Sequence, residues 1–180
     1  MTHPQAPEVQ RPEVTRVVLR QAHDPIFGVM SLVRLTTYAV YPNDPTPHRI
    51  EIDEWHGQVS TPDGRVLEVG LLSSNAEEIV PQIGDDIRQS ISSVLAQLPT
   101  WQRKVATGIL DTAKAWANSA EKTQPTADSL AANLLIVGVS LHENAEGFAL
   151  DFQETAGLFA DHAVCAEFSA DGMLRWVDLH

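Results

Sequence analysis

The chain has 180 residues, 43% of them hydrophobic and 20% charged, with a formal net charge of -12 and one cysteine. A chain of this length suits one domain with its own core, because folding buries roughly 70% of the surface that the unfolded chain exposes. The acidic balance disfavours nucleic acid and anionic membranes and favours a basic protein partner; the lone cysteine excludes an intramolecular disulfide and fits a reducing, cytoplasmic setting; and no run approaches the ~18 apolar residues of a membrane helix.

Residues 1–13 carry three prolines among polar residues and no apolar signal segment, so they read as a disordered lead-in rather than a secretory leader. Val14 to Arg20 is a short strand candidate. His23-Asp24-Pro25-Ile26-Phe27-Gly28 reads as a turn, since Asp-Pro starts turns and Gly28 permits unusual φ. Val29 to Tyr41 is β-branched and aromatic, as a strand should be. Three prolines between Pro42 and Pro47 predict a loop. His48 to Asp53 alternates as a half-buried strand, and Trp55-His56-Gly57 is expected to turn or bulge the chain. Pro62-Asp63-Gly64 then makes a tight turn into a strand over 65–72, whose Leu67, Val69 and Leu71 share a face.

The period then changes. Ile87, Ile91, Val94, Leu95 and Leu98 form one helical stripe, with Asp85 and Asp86 suited to its start. A short separate turn is expected over Asn75 to Val80. Pro99-Thr100 breaks the first helix, and Trp101, Val105, Ile109, Ala113 and Trp116 form a second stripe, in which Gly108 suggests close packing. Thr126 is a good N-cap for a third, short helix through Asn133. From Leu134 onward the period returns to two, in four strand candidates punctuated by 143–147, the Gly157 loop and Ala170-Asp171-Gly172.

Strands, then helices, then strands predict an α+β fold: N-terminal and C-terminal antiparallel meanders, as one sheet or two, with two to three helices from the middle packed on one face. The domain is expected to span residues 14–180.

Chemistry is sparsely signalled. None of the seven histidines falls in a metal-ligand spacing, no cofactor motif is present, and there is no nucleophile elbow, Walker loop or dinucleotide fingerprint. Cys165 alternates with Val164 and Ala166 and reads as a small buried hydrophobe. Phe27 and Phe159 read as core plugs. Trp55 and His56 suggest an aromatic contact near a turn. Asp161 and His162 are adjacent, and on a strand they would face opposite sides, which does not suit a catalytic pair. His162 shares parity with Val164, Ala166 and Phe168. Trp55, His56, Asp161 and His162 are therefore the candidate binding residues, without a catalytic or metal set beside them.

Asp24-Pro25-Ile26-Phe27-Gly28 near the start, and Leu158-Phe159-Ala160-Asp161-His162-Ala163-Val164 near the end, give the chain its one family likeness. Asp24 to Leu179 resembles a group of bacterial domains of unknown function that open with a D-P-x-F-G turn and close with an L-F-x-x-H-x-I/V strand and a D-G hairpin. The chain departs from that pattern at Ala160-Asp161, where a glycine before the histidine is common, and it lacks an acidic run before the phenylalanine. The resemblance implies an architecture and a bacterial source, and no activity. Charge and composition lead to a protein-binding module without catalysis, by analogy an immunity protein that neutralises a basic toxin. The alternative is a small-molecule binder or enzyme with a pocket between helices and sheet, near Trp55, His56 and His162.

Overall fold

Alternating apolar positions at the two ends of the chain pair into a single sheet. The computed structural model describes residues 15–41, 44–72, 85–120, 122–142, 147–160 and 162–179. The lead-in expected over 1–13, the turn over Asn75 to Val80, most of the 143–147 turn and Asp161 lie outside the described residues. The elements, in chain order, are β1 (Thr15–Asp24), β2 (Gly28–Tyr41), β3 (Asp44–Ser60), β4 (Val66–Leu72), α1 (Asp85–Ala96), α2 (Leu98–Gly108), α3 (Leu110–Ser119), α4 (Ala127–Asn133), β5 (Leu134–His142), β6 (Gly147–Glu154), β7 (Val164–Ser169) and β8 (Leu174–Leu179). The eight strands lie side by side in sequence order.

The α+β class is as expected, but the sheet is not purely antiparallel. β4 and β5 run parallel, with Glu68 opposite Gly138 and Leu71 opposite Leu141. A helical block between neighbouring strands carries the chain back along the sheet face before the next strand starts, and such a crossover makes the pair parallel. Both meanders therefore join in one sheet, with four helices among the described residues rather than two or three.

The helices cover one face. Its rows include Trp55, Leu71, Leu141, Phe148 and Phe168, all at most 7% exposed, against Ile91, Val94, Trp101 and Val105 of the helices. Phe27 and Phe159 are 2% and 0% exposed and plug this core, as expected. The opposite face carries no helix among the described residues, although Val33 of β2, opposite Glu54, is 0% exposed on it.

Two local expectations change. Trp55-His56-Gly57 neither turns nor bulges the chain; β3 runs through it without a register shift. Gly57 is there for room: a Cβ would come within 3.1 Å of Met30 and 3.3 Å of Phe27. The proline loop shrinks, and Pro45 and Pro47 lie inside β3. They are tolerated because this half of β3 pairs only with β2, while β4 pairs with Glu54 to Ser60, leaving one edge with no ladder to complete. The break expected at Pro99-Thr100 is present: α1 ends at Ala96 and α2 starts at Leu98 with proline in its first turn, where a missing N–H costs nothing. The second stripe is itself kinked at Ile109, yet the Ile109 amide still donates to Val105 and the Ala113 amide to Ile109.

Thr126 caps α4 with a reciprocal pair: its hydroxyl accepts from the Ser129 amide at 3.1 Å, and the Ser129 hydroxyl accepts from the Thr126 amide at 2.9 Å. Gly108 marks close packing, since a Cβ there would come 2.7 Å from Leu174 of β8.

Candidate functional site

The uncovered face carries the polar half of every alternating strand. One row across it is Gln58, Glu68, Gly138, Asp151, Cys165 and Asp178; the next runs from Ser31 through His56, Gly70, Ser140 and Ala149 to Glu167. Mid-strand glycines in both rows lower the surface into a groove of about 510 Å³ over β3 to β6, whose ionisable lining groups are Glu54, His56, Glu68 and Asp151. A second hollow of about 550 Å³ continues it over β1 to β4 and shares His56 and Glu68. Val137, the extra residue of a bulge in β5, adds an apolar wall and is 38% exposed.

Glu54 is 8% exposed although it carries a carboxylate. Its oxygen Oε2 comes within 3.2 Å of His56 Nε2, but off the direction of a hydrogen bond, so that buried nitrogen has no hydrogen-bond partner. No hydrogen bond to the Glu54 carboxylate forms among the described residues.

Asp151 is better served, accepting from the Cys165 thiol at 2.9 Å. Cys165 is therefore not on the apolar side with Val164 and Ala166; it is half-buried on the uncovered face. Burial first, then the hydrogen bond to Asp151 and the charges of Asp151 and Asp178, push its thiol from 9.0 up to about 12. A thiol of that kind is a poor nucleophile near neutrality. Iodoacetamide at pH 8 should alkylate native Cys165 roughly a thousand-fold more slowly than the unfolded chain, and Asp151→Asn should speed it. A native rate close to the unfolded one would contradict this environment.

Of the four residues singled out in the sequence, the three described ones, Trp55, His56 and His162, are not brought together. Trp55 lies on the helix-covered face, 2% exposed, with the Arg20 guanidinium 5.4 Å from its ring centroid and its indole N–H without a partner. His56, its neighbour, faces the groove on the other side. His162 sets its ring edge against Trp116 of α3 at 5.1 Å. No hydrogen bond or ring contact among the described residues links Trp55 or His56 to His162, and Asp161 lies outside those residues. A pocket built from Trp55, His56 and His162 between helices and sheet is thereby corrected. The hollow that does lie there, about 430 Å³ between α1, the ends of β5 and β6 and the β7–β8 turn, has Asp171 as the one ionisable group among its described lining residues. Asp171 is exposed and accepts from the Ser169 hydroxyl.

Glu54, Glu68, Gly70, Gly138 and Asp151 escaped the sequence reading as a group. The available signal was parity: Glu54 shares a face with His56, and a glycine inside a strand marks a place where something approaches the backbone closely.

Among the described residues, no three His, Cys, Asp or Glu side chains converge as metal ligands, and no helix is long and apolar enough to cross a membrane. A scan against protein-family models and searches of curated proteins and of solved structures return no match.

Proposed function

We infer that this protein is a binding module without catalytic activity, and that it docks a basic protein partner on the uncovered face of its sheet. The observation that carries this reading is the lining of the groove over β3 to β6: among its described residues are three carboxylates and a histidine, and no lysine or arginine. With a formal net charge of -12, the field around such a concave surface draws in cations and raises their encounter rate. The high thiol pKa of Cys165 and the scattering of the histidines also weigh against catalysis. An immunity protein that neutralises a basic toxin is the specific form of this reading.

The test compares two triple variants of equal charge. Glu68→Gln/Asp151→Asn/Asp178→Asn neutralises the uncovered face; Asp111→Asn/Asp128→Asn/Asp171→Asn neutralises exposed acids elsewhere on the fold. Association of an oligolysine peptide is followed at low and high salt. The first variant should slow association about ten-fold at low salt and flatten its salt dependence. The second should change it less than about two-fold. Equal effects from the two would show that net charge alone draws the peptide and would end this reading.

A further inference from the structure

The uncovered face changes character toward β1. A sheet face turned to solvent ordinarily carries polar residues at its outward positions. β1, β2 and β4 break that alternation: Val18 stands opposite Val33, Val29 shares its side of β2 with Val33, and Val66 shares its side of β4 with Glu68. Val18, Val29 and Val66 are 55%, 61% and 58% exposed. With Val33, and with Ile26 of the β1–β2 turn, they line the hollow of about 550 Å³ over β1 to β4. Single exposed apolar residues are ordinary on a protein surface, but a cluster gathered around one hollow marks a contact site.

Exposure and charge choose the occupant. The three outer valines are themselves more than half exposed, so the hollow receives a side chain from outside and does not enclose a free molecule. Its described lining has Arg16, His56 and Glu68 as ionisable groups, and His56 and Glu68 also line the acidic groove over β3 to β6. A segment seated in the hollow therefore lies beside carboxylates and gains from basic residues next to its apolar one. A second copy of this chain fits poorly, because two molecules of formal net charge -12 repel each other.

We propose that the valine hollow over β1 to β4 seats an aliphatic side chain of the basic partner, flanked in that partner by the cationic residues that the acidic groove attracts. Val18, Val29 and Val66 contact the side chain, and its burial supplies the apolar centre that a stable interface places inside a polar rim. The seat rests on the reading of the uncovered face as a docking surface. It adds a demand that charge alone does not make, for an apolar residue among the basic ones.

The probes are two lysine pentapeptides whose central residue is replaced by leucine in one and serine in the other, titrated into the full chain while backbone amide shifts are recorded. The leucine peptide should bind at least about five-fold more tightly and move resonances of β1 to β4. Val18→Thr/Val29→Thr/Val66→Thr keeps side-chain shape, strand propensity and every charge, but adds hydroxyls to the hollow. It should cut the leucine advantage to less than about two-fold and leave the serine peptide unchanged. Val66→Thr alone should reduce the advantage and serves if the triple variant does not fold. Equal binding of the two peptides to the wild type overturns the seat, as does a leucine advantage that the threonine variants retain. A dimer in sedimentation that the threonine variant dissociates would give the hollow to a second copy and overturn it as well. The comparison of charge variants decides the docking reading separately, because it alters Glu68, Asp151 and Asp178 and leaves every valine in place.

Discussion

Alanine at Asp24 is expected to lower the free energy of unfolding by about 3 kcal/mol, although the residue is the last of β1, beside a turn. Asp24 is fully buried, and its carboxylate serves three donors. Oδ1 accepts from the amides of Ile26 at 2.8 Å and Phe27 at 3.1 Å, and Oδ2 accepts from Arg88 of α1 at 3.0 Å. The turn thus holds Phe27 in the core and ties the β1–β2 connection to the first helix. Removing the carboxylate orphans two turn amides and leaves a half-buried guanidinium without its interior partner. Asp24→Asn keeps one acceptor for the turn and should cost less, about 1–2 kcal/mol.

The same site predicts a pH dependence. Burial acts to raise the Asp24 pKa, but the two amides and Arg88 together outweigh it and hold the group below the usual carboxylate range. A depressed folded-state pKa means that the unfolded chain binds the proton first as pH falls. The contribution is therefore complete above the unfolded value of about 4 and is lost as pH drops through the lower folded value. Urea unfolding of the wild type and Asp24→Ala at several pH values checks both claims. The gap between them should be widest near neutrality and should narrow in acid. A gap below about 1 kcal/mol at neutral pH, or one that does not narrow, would show that the latch is not formed as described.

Trp101→Ala should be costlier still, about 4 kcal/mol. Trp101 is 6% exposed and sits where α2 crosses the C-terminal hairpins. Its ring meets Phe148 and Phe168 at 5.2 Å each, while those two rings stack on each other at 4.9 Å. The indole N–H donates to the Val94 carbonyl at 3.1 Å, linking α2 to α1. On the outer side Gly172 leaves space for the ring, since a Cβ there would come 2.8 Å from it. Truncation to alanine opens a cavity that the sheet, rigid on one side, cannot collapse to fill. Trp101→Phe keeps an aromatic edge on Phe148 and Phe168, and the Val94 carbonyl still accepts from the Gln97 amide; its cost should be about 1–2 kcal/mol. Comparing the two variants by urea unfolding separates ring packing from the hydrogen bond. A loss under about 1.5 kcal/mol for alanine would mean that the helices rest on the sheet far more loosely than the ring contacts indicate.

These two residues also mark how far the sequence could be read. The turn at Asp24 to Gly28 was legible from its residue types, and so was Phe27 as a core plug. The ion pair to Arg88 was not, because 64 positions separate the partners and nothing local to either one names the other. Trp101 stood at the head of a helical stripe, so its burial followed from period; its two phenylalanine neighbours depended on which hairpins the helix would cross. At the candidate site, His56 was marked for its aromatic neighbour, yet Trp55 and His56 belong to opposite faces, as any two adjacent strand residues must. Gly57 misled for a related reason: a glycine is read as a bend when its smallness serves a neighbour across the strand.

Local residue patterns by themselves determined most of the elements, the faces they bury and the acidic character of the surface, because each of these depends on neighbours within a few positions of the chain. Only the tertiary structure decided that the two meanders share one sheet through a parallel β4–β5 pair, and at what register. That register sets Gly70 beside Ser140 and Glu68 beside Gly138, and so places Glu54 and Asp151 along one groove. Pairing between strands so far apart in sequence is fixed by the packing of the intervening helices against the core, a sum of many weak contacts that no short stretch of the chain encodes.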